Sequence, residues 1–304
     1  MEFSKEQFQV VGTKLSEQEK ISKPSLSFWK DVFTRFNKNK LALVGLVLLF
    51  LLIVMAVVGP MVSGYTYDQT NLTNANQPPS AEHLFGTDDL GRDVFTRVWY
   101  GARISISIGL AAALIDLFIG VIYGGIAGYK GGRTDNILMR FADILSGIPY
   151  LLLVILLMVV LGNNIGTMIL AMCITGWINM SRIVRGQVLS LKSQEYVLAA
   201  KTLGASTTRI MGKHLIPNSM APILVTMTLT IPNAIFTESF LSYLGLGLSA
   251  PIASWGTMAS EGLPALQYYP WRLFFPAILI SLTIFAFNVV GDGLRDALDP
   301  RLRK

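Results

Sequence analysis

The chain has 304 residues, of which 52% are hydrophobic and only 14% are charged. Its mean hydropathy of +0.52 excludes an ordinary soluble domain and indicates a protein that crosses a membrane several times. The formal net charge is +6, but basic and aromatic residues are not interleaved as on nucleic-acid-binding surfaces, so no nucleic-acid partner is expected. The single cysteine, Cys173, lies in an apolar segment and is expected to be a buried, unreactive thiol.

The first 40 residues are mostly polar, and the apolar run after them lacks a convincing cleavage site, so we expect an uncleaved membrane anchor rather than a signal peptide. Residues 27–40 (SFWKDVFTRFNKNK) mix bulky apolar and basic side chains, which predicts an interfacial helix on the cytoplasmic membrane surface, facing anionic lipid. The alternative is a soluble helix packed on a cytosolic partner subunit. The apolar stripe is Phe28, Trp29, Val32, Phe33 and Phe36, and the basic residues are Lys30, Arg35, Lys38 and Lys40.

The rest of the chain, residues 41–304, is predicted to be an all-α domain with six membrane-spanning helices. About 20 apolar residues are needed to cross roughly 30 Å of hydrocarbon. Arg182 and Arg185 are expected to end the fourth span early, because a charge inside the hydrocarbon is unfavourable. The predicted spans are 41–62, 104–128, 137–161, 165–180 with some extension, 221–246 and 273–290.

The distribution of Lys and Arg predicts the side of the membrane that each connection occupies, because cytoplasmic loops are enriched in basic residues. With the N-terminus inside, all but four of the 25 basic residues fall in cytoplasmic segments. We therefore expect a multi-pass protein of the cell membrane with both termini in the cytoplasm. The four exceptions are Arg92, Arg97, Arg103 and Arg272.

Two long connections are expected on the outer side. Residues 63–103 begin with turn-forming residues and end in a predicted amphipathic helix over 88–100, so they form either a docking surface for a binding protein or a lid over neighbouring helices. Residues 247–271 contain no Lys or Arg, and their aromatic residues are typical of a segment that dips into the outer membrane interface. These aromatic residues are Trp255, Tyr268, Tyr269 and Trp271.

A polar, basic segment interrupts the apolar spans at residues 195–218 (EYVLAAKTLGASTTRIMGKHLIPN) and predicts a helical hairpin in the cytoplasm. Its first helix has apolar residues at positions i, i+3, i+4 and i+7, which places them in one stripe along the helix. The stripe consists of Tyr196, Ala199, Ala200 and Leu203.

The ends of the two short helices in this hairpin are marked by residues with special backbone preferences. Gly204 is expected to end the first helix in the left-handed conformation. Ser206 or Thr207 is expected to cap the second helix. Pro217 is expected to close the hairpin, since the residue before a proline is disfavoured in helical geometry.

At this hairpin the chain resembles the permease subunits of type I ATP-binding-cassette (ABC) importers. Their cytosolic loop carries the pattern E-A-A-x-x-x-G, followed by a proline thirteen residues after the glycine. Leu198 occupies the position of the motif glutamate here, and Glu195 lies three residues earlier, on the same helix face one turn back. The matching residues are Ala199, Ala200, Gly204 and Pro217.

Three further segments resemble the second permease subunit of the oligopeptide and dipeptide class. They are HLFGTDDLGRD at 83–93, SYLGLGL at 242–248 and GDGLRDALDPRLRK at 291–304. The resemblance extends from about residue 27 to residue 304. It implies that the domain 41–304 has the type I ABC importer permease fold.

The resemblance also implies that residues 195–217 couple the chain to a separate ATPase, which drives oligopeptides into the cytoplasm. The implied partners are a homologous second permease subunit, two cytosolic ATP-binding subunits, an extracytoplasmic peptide-binding protein and membrane lipid. The same architecture with dipeptides, nickel chelates or glutathione as cargo is an alternative. The residues implied in ATPase coupling are Glu195, Ala199, Ala200, Gly204, Ala205, Arg209 and Pro217.

No catalytic residue, cofactor or metal is expected within the chain. The only Gly-Lys pair, Gly212-Lys213, lacks the rest of a Walker phosphate loop. His83 and His214 are predicted to lie on opposite sides of the membrane, so they form neither a metal site nor a nucleophile–base pair. ATP is therefore expected to be hydrolysed by partner subunits.

Acidic residues inside the spans are candidates for a role in transport, because a central charge costs about 2.5 to 3.5 kcal/mol on insertion scales. Asp116 and Glu238 either pair with Asn179, Arg140 or a backbone group between helices, or they line the transport path. Asp143 is expected to pair with Arg140, three residues earlier. The rival from another class is an ion-coupled carrier that uses Asp116 and Glu238 as a proton relay. That carrier has no use for a cytosolic coupling hairpin, and no internal repeat supports it.

Overall fold

The computed structural model describes residues 28–299, and its regular elements within that range are helices. An isolated bridge between Thr87 and Asp93 is the only β-type pairing described there. The predicted all-α fold is therefore confirmed, while the tail before residue 28 and residues 300–304 lie outside the described range. The α-helices are α1 (Phe28–Phe36), α2 (Lys40–Val62), α3 (Val94–Lys130), α4 (Gly132–Ser146), α5 (Tyr150–Leu161), α6 (Ile165–Leu191), α7 (Glu195–Thr202), α8 (Thr207–Ile210), α9 (Ile216–Asn218), α10 (Met220–Leu241), α11 (Trp255–Gly262) and α12 (Trp271–Leu298).

Five described helices are long and apolar enough to cross a membrane, namely α2, α3, α6, α12 and α10 with the π-turn that follows it. The third predicted span was expected to be continuous over 137–161, and this is wrong. It consists of α4 and α5, which meet at an angle of 74°. The break falls just before α5 because Pro149 has no amide hydrogen and disfavours helical geometry at Ile148. Six spans are present when α4 and α5 are taken as one bent unit.

The helix α3 contains both the second predicted span and most of the amphipathic helix expected over 88–100. Its start is set by Asp93, whose carboxylate accepts hydrogen bonds from the Thr96 amide and hydroxyl, both at 2.7 Å. The residues just before Asp93 form a turn instead, because the Asp88 carboxylate binds backbone amides of its own turn at 2.9 and 3.0 Å. The expected helix start at Asp88 is therefore wrong.

The helix α6 also continues past its predicted end, and the two arginines expected to stop it lie inside the helix. Carboxylates of α4 compensate both charges. Arg185 forms a bidentate ion pair with Asp135, with N–O distances of 2.5 and 2.7 Å. Arg182 bonds to Asp143 at 2.9 Å, so the expected pairing of Asp143 with Arg140 is wrong. A paired arginine can extend a membrane helix that an unpaired one would end.

The connection between α2 and α3 is held on the helix ends by a cluster of ion pairs. Arg97 of α3 is buried and reaches Asp88 at 3.3 Å and Glu261 of α11 at 3.1 Å. Arg272 of α12 binds Asp89 of the same connection at 3.2 Å. The connection therefore covers α3, α11 and α12 as a lid, which is one of the two roles expected for it.

The helix α11 is part of the protein interior, although residues 247–271 were expected to dip into the membrane interface. The Trp255 side chain is fully buried, and its indole donates a hydrogen bond to the Val98 carbonyl at 2.9 Å. Trp271 donates to the Thr87 carbonyl, in the connection between α2 and α3, at 3.1 Å. For Trp255 the expectation is wrong, because its ring packs helices together, whereas Tyr268 is exposed.

The helix α1 forms where the interfacial helix was expected, but its apolar residues divide between two faces. Val32 and Phe36 are buried against α2 and α12, whereas Trp29 and Phe33 are exposed. Arg35 forms an ion pair within the helix, so the expectation that it faces lipid is wrong. Trp29 and Phe33 are the exposed aromatic side chains of the described part of α1.

The most extensive helix–helix contact joins α3 and α6, and glycines make their close approach possible. Gly120, Gly124 and Gly128 recur every four residues on one face of α3. A Cβ atom on Gly120 would lie 2.6 Å from the Met180 side chain, and one on Gly124 would collide with the Ser181 carbonyl. Small residues at this spacing let two membrane helices approach until their backbones touch.

We expect Gly124→Ala to destabilise the packing of α3 on α6, because the added methyl group collides with the Ser181 carbonyl. Overpacking of this kind costs about 1–3 kcal/mol, so the thermal unfolding temperature of the purified protein in detergent should fall by several degrees. Gly186→Ala is the matched control, since Gly186 lies in α6 with open space around it. That replacement should leave the unfolding temperature unchanged or raise it slightly. Equal unfolding temperatures for the two variants would contradict the glycine packing.

Candidate functional site

The hairpin between α6 and α10 consists of α7, α8, a π-turn (Met211–Leu215) and α9. Gly204 ends α7 with a φ of +80°, as expected. The Gly204 amide donates to the Lys201 carbonyl, and the Ala205 amide to the Ala200 carbonyl, both at 3.0 Å. These two bonds form the Schellman C-cap, so the angle between α7 and α8 is set by backbone hydrogen bonds.

The second half of the hairpin begins at Ser206, whose hydroxyl accepts the Arg209 amide at 3.3 Å, as expected. Pro217 does not close the hairpin, which corrects the prediction. Ile216, the residue before it, is helical, with φ −62° and ψ −47°. In the π-turn the Ile216 amide bonds to the Met211 carbonyl, five residues back. Pro217 then falls in the first turn of α9, where no amide donor is required.

Buried side chains hold the hairpin against the spans. Val197 of α7, Ile210 of α8 and Leu215 of the π-turn are buried. They pack in one cluster with Val184 and Val188 of α6. A movement of the hairpin is therefore mechanically linked to the end of α6.

The opposite side of α7 is an exposed surface, here named the α7 face and formed by Glu195, Tyr196, Leu198, Ala199 and Leu203. Leu203 is 88% exposed, and Leu198 is also exposed. An exposed row of apolar side chains indicates a protein-contact surface. Of the other residues implied in coupling, two are half-buried, Ala200 and Ala205, and two are exposed, Arg209 and Pro217.

A cleft of about 420 Å³ opens beside α6 where α4 and α5 meet. The α6 side of this cleft contributes Thr175, Asn179 and Arg182, and the break between α4 and α5 contributes Ser146 and Tyr150. Polar side chains within a span face protein or water rather than lipid. Sequence reasoning singled out Asn179 but missed the cleft. The Gly-Ile-Pro sequence at 147–149, inside an apolar run, is the signal that would have located the break.

Asp116 lies behind the cleft rather than in it. Its carboxylate is buried against Gly176 of α6, where a Cβ atom would collide with it. Its Oδ1 atom accepts no hydrogen bond from the described residues, although the Cys173 thiol lies beside the carboxylate. Cys173 is buried, as expected. Within the described range, Asp116 is not hydrogen-bonded to Asn179.

Glu238 occupies a separate, fully enclosed place near the C-terminal end of α10. Its side chain is 0% exposed and accepts hydrogen bonds from the hydroxyls of Ser105 and Ser242 at 3.2 Å and of Ser254 at 2.5 Å. Glu238 therefore joins α3, the end of α10 and the start of α11. The serines were not foreseen, because they come from distant segments that no local pattern connects.

A bundle of membrane-length helices interrupted by a capped hairpin defines a multi-pass membrane permease. Residues 120–304 match the family described as the binding-protein-dependent transport system inner membrane component. Residues 27–79 match the N-terminal transmembrane domain of oligopeptide transport permease C. The chain belongs to the family of binding-protein-dependent inner membrane components and is a permease subunit of an ABC importer.

Relatives along nearly the whole chain support this assignment. The chain is 67% identical to the oligopeptide transport system permease protein OppC of Bacillus subtilis, over 99% of this chain and 98% of that protein. It is 60% identical to the dipeptide transport system permease protein DppC of the same organism, over 98% and 94%. It is 42% identical to OppC of Escherichia coli, over 94% and 95%.

A solved structure supports the fold. The chain resembles a subunit in a structure of the MetNI methionine ABC transporter in inward-facing conformations, with a TM-score of 0.52. The match covers 66% of this chain and 94% of that chain at 15% sequence identity. At this identity the likeness concerns the fold alone.

Proposed function

We propose that the chain translocates oligopeptides into the cytoplasm as one of two paired permease subunits. Two separate cytosolic subunits hydrolyse ATP, and an extracytoplasmic peptide-binding protein delivers the cargo. The α7 face carries this proposal, because an exposed apolar surface on a rigidly capped hairpin suits a permanent protein partner. The relative at 67% identity, an oligopeptide permease by name, supports the cargo, and the name of the family supports the binding protein.

The second permease subunit is proposed because open cavities beside α6 contain polar side chains in their lining. A cavity of about 680 Å³ lies near the hairpin and is lined by Gln187 of α6, Thr226 of α10 and Arg295 of α12. Together with the cleft that contains Asn179, it gives α6 two openings that are lined in part by polar side chains. A homologous subunit packed against such an opening would complete an aqueous path between the two chains.

We propose that both termini and the hairpin lie in the cytoplasm. This orientation leaves four basic residues outside, and all four are engaged in the fold. Arg92, Arg97 and Arg272 form ion pairs, and Arg103 donates to backbone carbonyls of α2. The basic residues of the hairpin, such as the exposed Arg209, are then on the side that the charge distribution favours.

We propose that residues 1–40 are an accessory segment and that 41–304 form the permease domain. The exposed rings of Trp29 and Phe33 support contact between α1 and membrane lipid. Lys30 of α1 and Lys38 in the turn after it are exposed, and their positive charges favour contact with an anionic lipid surface.

For the acidic residues we propose helix pairing rather than ion transport. The complete enclosure of Glu238 by serine hydroxyls supports this role, because a proton relay needs access to water. Asp116 is likewise buried between α3 and α6. Asn179, which is exposed in the cleft, is the proposed path-lining residue of the three. Dipeptide cargo is the second candidate function, favoured by the 60% identity to a dipeptide permease.

The experiment that tests the function is uptake by the complete transporter reconstituted in proteoliposomes. ATP should drive accumulation of a labelled pentapeptide, and a protonophore should leave that accumulation unchanged. A labelled dipeptide measured in parallel distinguishes the two cargoes by its kcat/KM. Uptake driven by a proton gradient without ATP would overturn the proposal in favour of an ion-coupled carrier.

We expect Gly204→Val to leave the amount of the permease in the membrane nearly unchanged while strongly lowering ATP-driven uptake. The space around Gly204 is open, so the effect arises only from the positive φ, which costs a β-branched residue about 1–2 kcal/mol. Gly212→Val is the control, because Gly212 is also in open space but has no positive φ. Equal uptake by the two variants would show that the angle between α7 and α8 is unimportant.

Two kinds of contact on the α7 face could bind the ATPase where the motif glutamate is missing, namely an ion pair from Glu195 and an apolar contact from Leu198. If an ion pair is made from Glu195, one turn back, Glu195→Gln should weaken co-purification of the ATPase, and more so at low ionic strength. Leu198→Ala should weaken it through lost apolar contact, and should do so equally at high and low salt. Salt-independent loss in both variants would rule out the ion pair.

A further inference from the structure

Arg182 is the cationic group that lines the cleft between α6 and the α4–α5 break. The other polar side chains of the lining are neutral, namely the hydroxyls of Ser146, Tyr150 and Thr175 and the amide of Asn179. The Arg182 side chain is 47% exposed, and a charge at this depth in a membrane protein faces water or protein. An anion that enters the cleft therefore meets one fixed positive charge among neutral hydrogen-bonding groups.

The guanidinium of Arg182 uses only part of its hydrogen-bonding capacity. Its Nη2 atom donates to Asp143 Oδ1 and to Ser146 Oγ, both at 2.9 Å. Neither Nε nor Nη1 donates to any of residues 28–299. A guanidinium has five N–H donors in a planar fork, and a carboxylate accepts two parallel hydrogen bonds from such a fork. The unused Nε and Nη1 donors lie on opposite sides of the group, so a second carboxylate binds through one of them alone, or through the fork of Nε and Nη2 when it displaces Asp143.

Arg185, three residues along the same helix, is an arginine whose charge is fully engaged by the protein. Its Nε and Nη2 atoms bind both carboxylate oxygens of Asp135, which is buried. Asp143, the partner of Arg182, is 57% exposed and makes one bond. An exposed, single-contact ion pair contributes little stability, so a ligand can share or replace it. Arg185, which is bound by a protein carboxylate at two points, is therefore a matched control for Arg182, which is available to a ligand.

We propose that Arg182 binds the C-terminal carboxylate of a peptide as the peptide passes through this cleft. The proposal rests on the peptide cargo proposed above. The neutral hydroxyl and amide groups of the lining form hydrogen bonds with the peptide backbone. When the peptide leaves, the ion pair between Arg182 and Asp143 forms again. Every unmodified peptide has this carboxylate whatever its side chains are, so one arginine serves cargo of many sequences. Arg182 lies in the half of α6 nearer the hairpin, where an ATPase-driven movement would reach it.

The test compares ATP-driven uptake of a tetrapeptide with a free C-terminus and the same peptide as its C-terminal amide. The complete transporter is reconstituted with wild-type permease or with Arg182→Gln, and the ratio of the two initial uptake rates is measured. The binding protein is the same in both preparations, so its own preference cancels when the ratios are compared. In Arg182→Gln the acid-to-amide ratio should fall roughly tenfold, as expected for the loss of a charge-assisted contact.

Three variants control for effects on folding. Arg182→Lys keeps the positive charge and should keep most of the ratio. Arg185→Gln removes a charge that the protein itself satisfies, so it should lower uptake of both peptides by the same factor. Asp143→Asn removes the competing carboxylate and should raise the ratio. If Arg182→Gln fails to assemble, an unchanged or lowered ratio in Asp143→Asn would overturn the proposal, and a raised ratio would support it.

Two results would overturn the role of Arg182 while leaving the transporter a peptide importer. One is an unchanged ratio in Arg182→Gln at normal abundance of the complex. The other is an equal loss for both peptides that varies with the anionic lipid content of the vesicles, which would assign Arg182 to a lipid headgroup. If the wild-type complex accumulates neither peptide with ATP, the proposed function itself fails, so the two failures are distinguishable.

Discussion

The close contact between α3 and α6 is the interaction on which the rest of the structure depends. Glycines of α3, such as Gly124, bring the two backbones together and fix where α6 lies in the bundle. α6 in turn supplies the wall of the cleft, the arginines that hold α4, and the valines Val184 and Val188 against which the hairpin packs. In the proposed mechanism a displacement of the hairpin is therefore transmitted to the cleft directly by α6, with no flexible segment between them.

Charge is compensated differently at the two ends of the bundle. At the end covered by the α2–α3 connection, Arg97 and Arg272 are buried and share carboxylates from several segments, and removal of one partner from such a cluster leaves an uncompensated buried charge. At the other end, Arg182 and Asp143 meet in a single exposed contact that is easily exchanged. The end that carries the cluster is thus built to hold its shape, whereas near the hairpin the exchangeable Arg182–Asp143 contact lies beside the fixed Arg185–Asp135 pair.

The fold class, most of the spans and the ends of α7 could be predicted from the sequence, because they depend on local signals. Apolar runs of membrane length and the preference of Gly204 for a positive φ belong to this kind. The failures depend on partners distant in the chain. Arg182 and Arg185 extend α6 only because α4 supplies carboxylates, and Pro217 stays helical only because a π-turn precedes it. The cleft could not be predicted because it is formed by the angle between α4 and α5.

The exposure of Leu203 has a consequence for the life of the chain in the cell. The apolar surface of Leu203 is removed from water only when a partner covers it. Every copy without a partner therefore exposes an apolar patch to which other proteins can bind. Orphan copies would associate with one another or be removed by quality-control proteases that recognise exposed apolar residues. If the α7 face binds the ATPase as proposed, the number of permeases that persist in the membrane is set by the supply of that partner, and the same surface regulates the stoichiometry of the transporter.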